Sequence, residues 1–364
     1  MNGPGAWRTG IVLSALLAAM NLLAGISGGL ARLGLPTPAA AIGAHGAVLA
    51  CGFFGTLIAL ERAVALRRLA GLVAPLAAGL GGLLAWAVGV PAAAQLSWGV
   101  AATTLVGLYV HAGCSRAWSV PLVVELCGAL CWGVGTAAWA FGDLAAGVTG
   151  WMAFLVLTIA AERRELTQML RLPALAQRLF GIVVALALAA VVLDVAGTFG
   201  VGTGAWGAAT WWSACALLAM WLLRWDIAPR QWRKPGWLGH TAQCLTVGYL
   251  WLLAGGVLGL IGLGWPGGIT VLARHAVLLG FVFAMVFGHA PIILPALARV
   301  RPTYSAWARI PIWILTASLL ARGAALATGS GAGLSMAGAG HALAIVWFAA
   351  AMSSCVIRTR RLER

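Results

Sequence analysis

Long apolar segments alternate along the whole chain with short segments rich in Gly, Pro or Arg. A helix needs about 20 mostly apolar residues to cross a bilayer, and we count twelve segments of that kind. The predicted spans are 10–31, 39–60, 69–90, 94–113, 119–140, 146–162, 179–199, 204–224, 239–263, 270–296, 307–327 and 333–356. Arg8 alone precedes the first span, and no convincing small-residue cleavage site accompanies it, so we expect a retained helix.

This pattern predicts an all-α polytopic membrane helix bundle of about 12 transmembrane helices, in a single integral membrane domain over residues 1–364. The composition agrees, because 62% of the residues are hydrophobic and 9% are charged, whereas soluble domains are about 25% charged. A soluble enzyme and a disordered chain are therefore excluded. The net charge of +15 would suit nucleic acid on a soluble protein, but this chain has too little polar surface for that partner.

The basic residues mark one side of the membrane. Those that follow the even-numbered spans are Arg62, Arg67, Arg68, Arg116, Arg163, Arg164, Arg171, Arg178, Arg230, Arg233, Lys234, Arg299, Arg301, Arg309, Arg358, Arg360, Arg361 and Arg364. The opposite side carries only Arg32, Arg274 and Arg322. By the positive-inside rule, the sequence predicts that both termini are cytoplasmic.

All six histidines fall within the predicted spans or at their ends, where ionisable groups are costly and are functional candidates. Counted from the span ends, they form two layers of three. The outer layer is His45, His275 and His341, and the inner layer is His111, His240 and His289. The alternative for any one of them is a hydrogen bond between neighbouring helices.

One predicted span carries a histidine from each layer. His275 and His289 are 14 residues apart, which on an α-helix is ~21 Å of rise and ~40° short of four full turns. Both rings would then face one side at two depths, as in the cytochromes b of quinol-oxidising complexes. Since neutral imidazole is a common axial ligand of heme iron, we expect two b-type hemes, one near each face. The expected ligand pairs are His45 with His275 and His240 with His289, with His341 and His111 as reserves.

Other ligands remain open from the sequence. The outer three histidines could instead hold one copper or zinc ion. His111 with Cys114, and His240 with Cys244, each share a helical face, and the two pairs together could bind a metal.

Each of three charged residues within the spans has two possible roles. Arg274 and Arg322 would pair with heme propionates, or else snorkel to lipid headgroups. Glu125 would pair with Arg116, or else feed protons to an inner site.

Two stretches resemble the NnrS-like family of bacterial heme membrane proteins, which are distant relatives of heme–copper oxidase subunit I. The stretches are HGAVLACGFFGTLIALERAVAL from His45 to Leu66 and RHAVLLGFVFAMVFGHAPIILPA from Arg274 to Ala296. The resemblance implies about twelve spans in a bacterial inner membrane, and heme chemistry linked to nitric oxide or denitrification. It implies His45, His275 and His289 as ligands.

The chain also departs from the oxygen-reducing members of that group. It has no adjacent His-His pair, no His and Tyr four residues apart near the site, and no His-x-His; its only Tyr are 109, 249 and 304. A three-histidine copper centre and oxygen reduction with proton pumping are therefore not expected.

The sequence leaves three classes of function. The leading one is a membrane b-type heme protein that passes electrons from a quinol or a cytochrome, or binds a small gas such as NO, with catalytic residues unknown. The others are a metal-free multi-pass transporter and a copper- or zinc-binding or purely structural subunit of a redox complex. The lipid bilayer is the one partner common to all three, and oligomeric state is not predicted.

Overall fold

The structure is a computed structural model that describes residues 4–167, 171–265, 267–298 and 301–362. Two of the basic residues used above, Arg299 and Arg364, lie outside the described residues. Within them every regular element is a helix, and there is no strand. The predicted all-α class is confirmed.

Twelve helices in the described part of the chain are long and apolar enough to cross a membrane. They are α1 Gly5–Ala31, α2 His45–Leu66, α3 Leu69–Val88, α4 Pro91–Ser115, α5 Val120–Ala140, α6 Leu144–Leu166, α7 Ala174–Thr198, α8 Gly204–Trp225, α9 Gly236–Gly264, α10 Gly268–Pro295, α11 Ala306–Ala327 and α12 Gly331–Arg361. Helices form because backbone N–H and C=O groups in lipid have no water to bind and must pair within their own segment.

Large apolar side chains remain exposed along these helices, as expected of a surface that contacts lipid. Leu23, Leu96 and Val192 are 64%, 74% and 67% exposed. A soluble protein of this size would not present such side chains along most of its helices. The multi-pass membrane assignment therefore rests on the surface as well as on helix length.

The helix boundaries change the predicted depth of the outer histidines. Helix α2 begins at His45, six residues after the predicted start, so His45 lies at the helix end and not inside it. His275 is seven residues into α10 and His341 is ten residues into α12, which is about 10 Å and about 15 Å along their helices. The three residues therefore lie at different distances from the ends of their own helices, and the predicted outer layer stays a prediction.

Three spans contain π-helical segments: Val48–Phe54 in α2, Leu84–Val88 in α3 and Ala276–Phe283 in α10. Two of them directly follow the candidate ligands His45 and His275. Since π-helical turns are rare and recur at functional sites, these two helix segments are candidates for a functional site.

The chain divides into two compact units, which we describe separately. Unit 1 comprises Met1–Glu165 and Ala187–Gly207, and unit 2 comprises Leu166–Leu186 and Ala208–Arg364. The single domain predicted from the sequence stays a prediction.

Glycines set the close helix contacts in unit 1. A Cβ atom on Gly150 of α6 would lie 2.6 Å from Gly135 Cα of α5, so the two backbones touch there. Asn21 links α1 to α3, because its amide donates to Leu17 O and Gly79 O at 2.9 Å and its Oδ1 accepts from Trp86 Nε1 at 3.1 Å. Small residues and buried amides are what hold helices together in lipid.

Candidate functional site

His341 of α12 lies in unit 2 with its imidazole proton assigned by its neighbours. Ser318 Oγ of α11 donates its only proton to Leu315 O at 2.9 Å, so at 2.7 Å it accepts a hydrogen bond from His341 Nδ1–H. The neutral ring therefore carries a lone pair on Nε2. That atom is buried and has no hydrogen-bond partner among the described residues.

Close packing of α11 against α12 holds this pair together. A Cβ atom on Gly340 would lie 2.7 Å from Ser318 Cβ, so only glycine fits beside the serine. His341 directly follows Gly340 and is 7% exposed. The ring is therefore fixed at one nitrogen and enclosed by the two helices.

Arg322 places a positive charge beside His341. It lies one helical turn beyond Ser318 on the same face of α11, and its charge acts on the His341 ring. Its side chain is 7% exposed, and its Nε atom has no hydrogen-bond partner in the described part of the chain. We call Ser318, Arg322 and His341 the outer cluster.

Helix α10 fixes two further histidines through its own backbone. His275 Nδ1 donates to Val271 O at 2.7 Å, and His289 Nδ1 donates to Met285 O at 2.9 Å. Both neutral rings therefore carry the Nε2 lone pair, the orientation that metal-ligating histidines adopt when a carbonyl holds the other nitrogen. His275 is half-buried and His289 is buried.

The π-helical segment Ala276–Phe283 lies between these two residues. Its i→i+5 hydrogen bonds put more residues into each turn than an α-helix has, so 100° per residue does not hold across it. The expectation that His275 and His289 face the same side assumed a continuous α-helix and is not supported.

His240 of α9 is held by its other ring nitrogen. Its Nε2 donates to Phe287 O at 2.8 Å, while its Nδ1 is buried without a partner among the described residues. The adjacent Thr241 Oγ1 donates to Gly288 O at 2.8 Å. A Cβ atom on Gly288 would lie 3.1 Å from Cys244 Cβ. The two helices are in direct contact here, so this arrangement does not fit a heme between His240 and His289.

The two histidines of unit 1 have neighbours of their own. Arg32 Nη1 donates to His45 Nδ1 at 3.3 Å, which occupies the lone pair on that atom. His111 lies within 3.3 Å of Ser115 Oγ near the end of α4. His45 belongs to unit 1 and its expected partner His275 to unit 2, so this pairing stays a prediction.

Arg274 immediately precedes His275 on α10 and is half-buried. Among the described residues, no group of three His, Cys, Asp or Glu side chains converges as a metal site would require. In unit 2, Cys244 Sγ lies 3.8 Å from His240 Nε2, as their spacing predicted. The second His–Cys pair named in the sequence, His111 with Cys114, lies in unit 1.

An ion pair in unit 1 escaped the sequence analysis. Glu125 of α5, 2% exposed, binds Arg62 of α2. The predicted partner Arg116 is exposed, so that prediction was wrong. Glu125 and Arg62 both lie near the Arg-rich ends of their spans. This shared depth was the sequence feature that could have suggested the pair. Which helix packs against α5 cannot be read from that signal.

The family model described as Domain of unknown function (DUF8744) matches residues 11–357. Searches of the curated proteins and of the solved structures found no match. The matched range includes all six histidines and the buried cations Arg62 and Arg322.

Proposed function

We propose that this chain binds a b-type heme in unit 2, in the membrane half where Ser318, Arg322 and His341 form the outer cluster. The chain belongs to the DUF8744 family and is a multi-pass membrane protein. The observation that carries the proposal is the buried Nε2 lone pair of His341 beside the buried Arg322 guanidinium, each with an unpartnered nitrogen among the described residues. A heme brings an iron that takes an imidazole nitrogen and carboxylates that pair with arginine. The donor set therefore fits this group.

Each residue of the outer cluster would have a distinct task. His341 would bind the iron through Nε2, and Ser318 would hold the ring by accepting Nδ1–H. Arg322 would neutralise a propionate within the membrane. Of the remaining predicted ligands, His275 presents the same tautomer and is the candidate for a second axial position.

The bound heme would supply reversible one-electron chemistry and, with an open iron position, binding of a small gas. We propose transmembrane or membrane-surface electron transfer from a quinol or a cytochrome, or NO binding, in a bacterial inner membrane. A metal-free transporter remains the alternative function. The second, inner heme expected from the sequence has no support from the packing of α9 against α10.

A difference spectrum of the purified protein tests this proposal. After expression with ample heme, we expect a b-type α band in the reduced-minus-oxidised spectrum and one heme per chain. The H341A variant should lose most of the heme, whereas H111A, which alters a histidine of the inner layer in unit 1, should retain it. A wild-type protein without heme would overturn the proposal, as would H341A with full heme. CO or NO added to the reduced protein then reports an open iron position.

A further inference from the structure

Four helices of unit 1 bring ionisable side chains to one level near their Arg-rich ends. Arg62 is four residues before the end of α2, and Tyr109 is six before the end of α4. Glu125 is five residues into α5, and Glu162 is four before the end of α6. At ~1.5 Å per residue, all four lie about 6–9 Å from the helix ends.

These side chains interact with one another. Arg62 forms the ion pair with Glu125, and its guanidinium lies 5.1 Å from the centre of the Tyr109 ring. The charged groups that face this site are Glu61, Arg62, Glu125, Glu162, Arg163 and Glu165. Among the residues that the structure describes, these are four carboxylates and two guanidinium groups. Unpaired negative charge inside a membrane is costly, so this site calls for additional bound positive charge.

Two buried hydroxyls line the same site and have no hydrogen-bond partner among the described residues. Tyr109 is fully buried, and its phenol oxygen interacts electrostatically with Glu125 and Glu162. Thr158, 2% exposed, lies one turn from Glu162 on α6. A Cβ atom on Gly128, one turn from Glu125 on α5, would lie 3.4 Å from Thr158 Oγ1. Thr158 therefore lies about one helical turn deeper than the two carboxylates, whereas Tyr109 lies at their level.

We propose that Glu125, Glu162, Tyr109 and Thr158 form a proton-binding site that exchanges protons with the cytoplasm. A proton from water would pass the rim, where the Arg62 side chain is 23% exposed, and would bind a carboxylate oxygen of Glu125 or Glu162. The hydroxyls suit a proton, because each can accept one hydrogen bond while donating another. A metal ion suits the site less well, because the Arg62 guanidinium already occupies Glu125.

Infrared difference spectroscopy of the full-length protein in detergent tests this site. We expect a protonated-carboxyl band at pH 7 that shifts in D₂O. The E125Q and E162Q variants should each lose much of the band, whereas D143N, which alters a carboxylate beside the opposite end of α6, should keep it. A wild-type protein without the band, or with the band intact in both E125Q and E162Q, would overturn the proposal.

Two further measurements keep the test decisive. The Y109F variant preserves the ring under Arg62 and removes only the hydroxyl, so we expect slower deuterium exchange of the band in a folded protein. Unchanged deuterium exchange in Y109F would contradict the role of the Tyr109 hydroxyl in this proton-binding site. Adding Na⁺ at constant pH should leave the band unaltered, and its loss would assign the site to an alkali cation instead. None of these results depends on bound heme.

Discussion

At the scale of single residues, the tautomers of the unit 2 histidines distinguish them. His275, His289 and His341 each give the Nδ1 proton to an oxygen, and His240 gives the Nε2 proton. The sequence ranked these four residues by depth and spacing alone. Their hydrogen-bond partners provide a sharper criterion, because a nitrogen that donates its proton to a carbonyl cannot also ligate a metal.

Ser318 offers a test at this scale, because it holds the His341 ring without touching the proposed iron. Replacing it with alanine removes the acceptor of Nδ1–H, and loss of such an orienting partner typically costs 10- to 100-fold in metal affinity. We expect the S318A variant to bind heme about 10- to 100-fold more weakly in a titration of the heme-free protein.

The S335A variant is the matched control, because Ser335 donates to Gly331 O of its own helix and does not belong to the outer cluster. It should bind heme as the wild type does. Equal affinity in S318A and S335A would show that the serine does not orient the ligand.

At the scale of helices, close backbone contact decides which faces meet. Gly135 and Gly150 bring α5 and α6 together, and this crossing also places Glu125 and Thr158 on facing surfaces. The abundance of glycine predicted close packing in general, but not which glycines would meet. The π-helical segments are a second example, because nothing in the hydrophobic pattern distinguishes them from α-helix.

The G150V variant tests the importance of the α5–α6 contact. The new side chain would begin 2.6 Å from Gly135 Cα and 2.7 Å from Cys131 O. Neither backbone atom can rotate away, so the helices must separate. We expect a loss of about 3 kcal/mol in unfolding free energy, measured by thermal or denaturant unfolding in detergent.

The G99V variant controls for placing valine within a helix. Gly99 of α4 has no atom within 4 Å of its Cβ position, so this variant should keep the wild-type stability. If G150V unfolded at the same denaturant concentration as G99V, the contact would not matter for stability.

At the scale of the whole molecule, the distribution of arginines assigns each loop to a side. Twelve spans are present in the described residues, as predicted, and the even-numbered span ends there carry most of the cations. Loop 199–203 between α7 and α8 carries no charge. The sidedness of the protein is therefore open to direct measurement.

Thiol labelling in intact cells tests this orientation. Cys114, exposed near the end of α4, should react with a membrane-impermeant maleimide only after permeabilisation. A cysteine introduced by V201C, at a position that is 57% exposed in the opposite loop, should react before it. The reverse order would invert the topology and move the proton site to the outside.

Hydrophobic runs by themselves determined the number of spans, because each helix in lipid satisfies its own backbone hydrogen bonds. Arginine positions predict the direction of the spans, because each loop is oriented by its own charge. These are local properties. The pairing of Arg62 with Glu125 and of His341 with Ser318 joins residues 63 and 23 positions apart. Only the tertiary structure decided them, because side-chain partners depend on which helix faces meet, and the glycine contacts that set those faces are non-local.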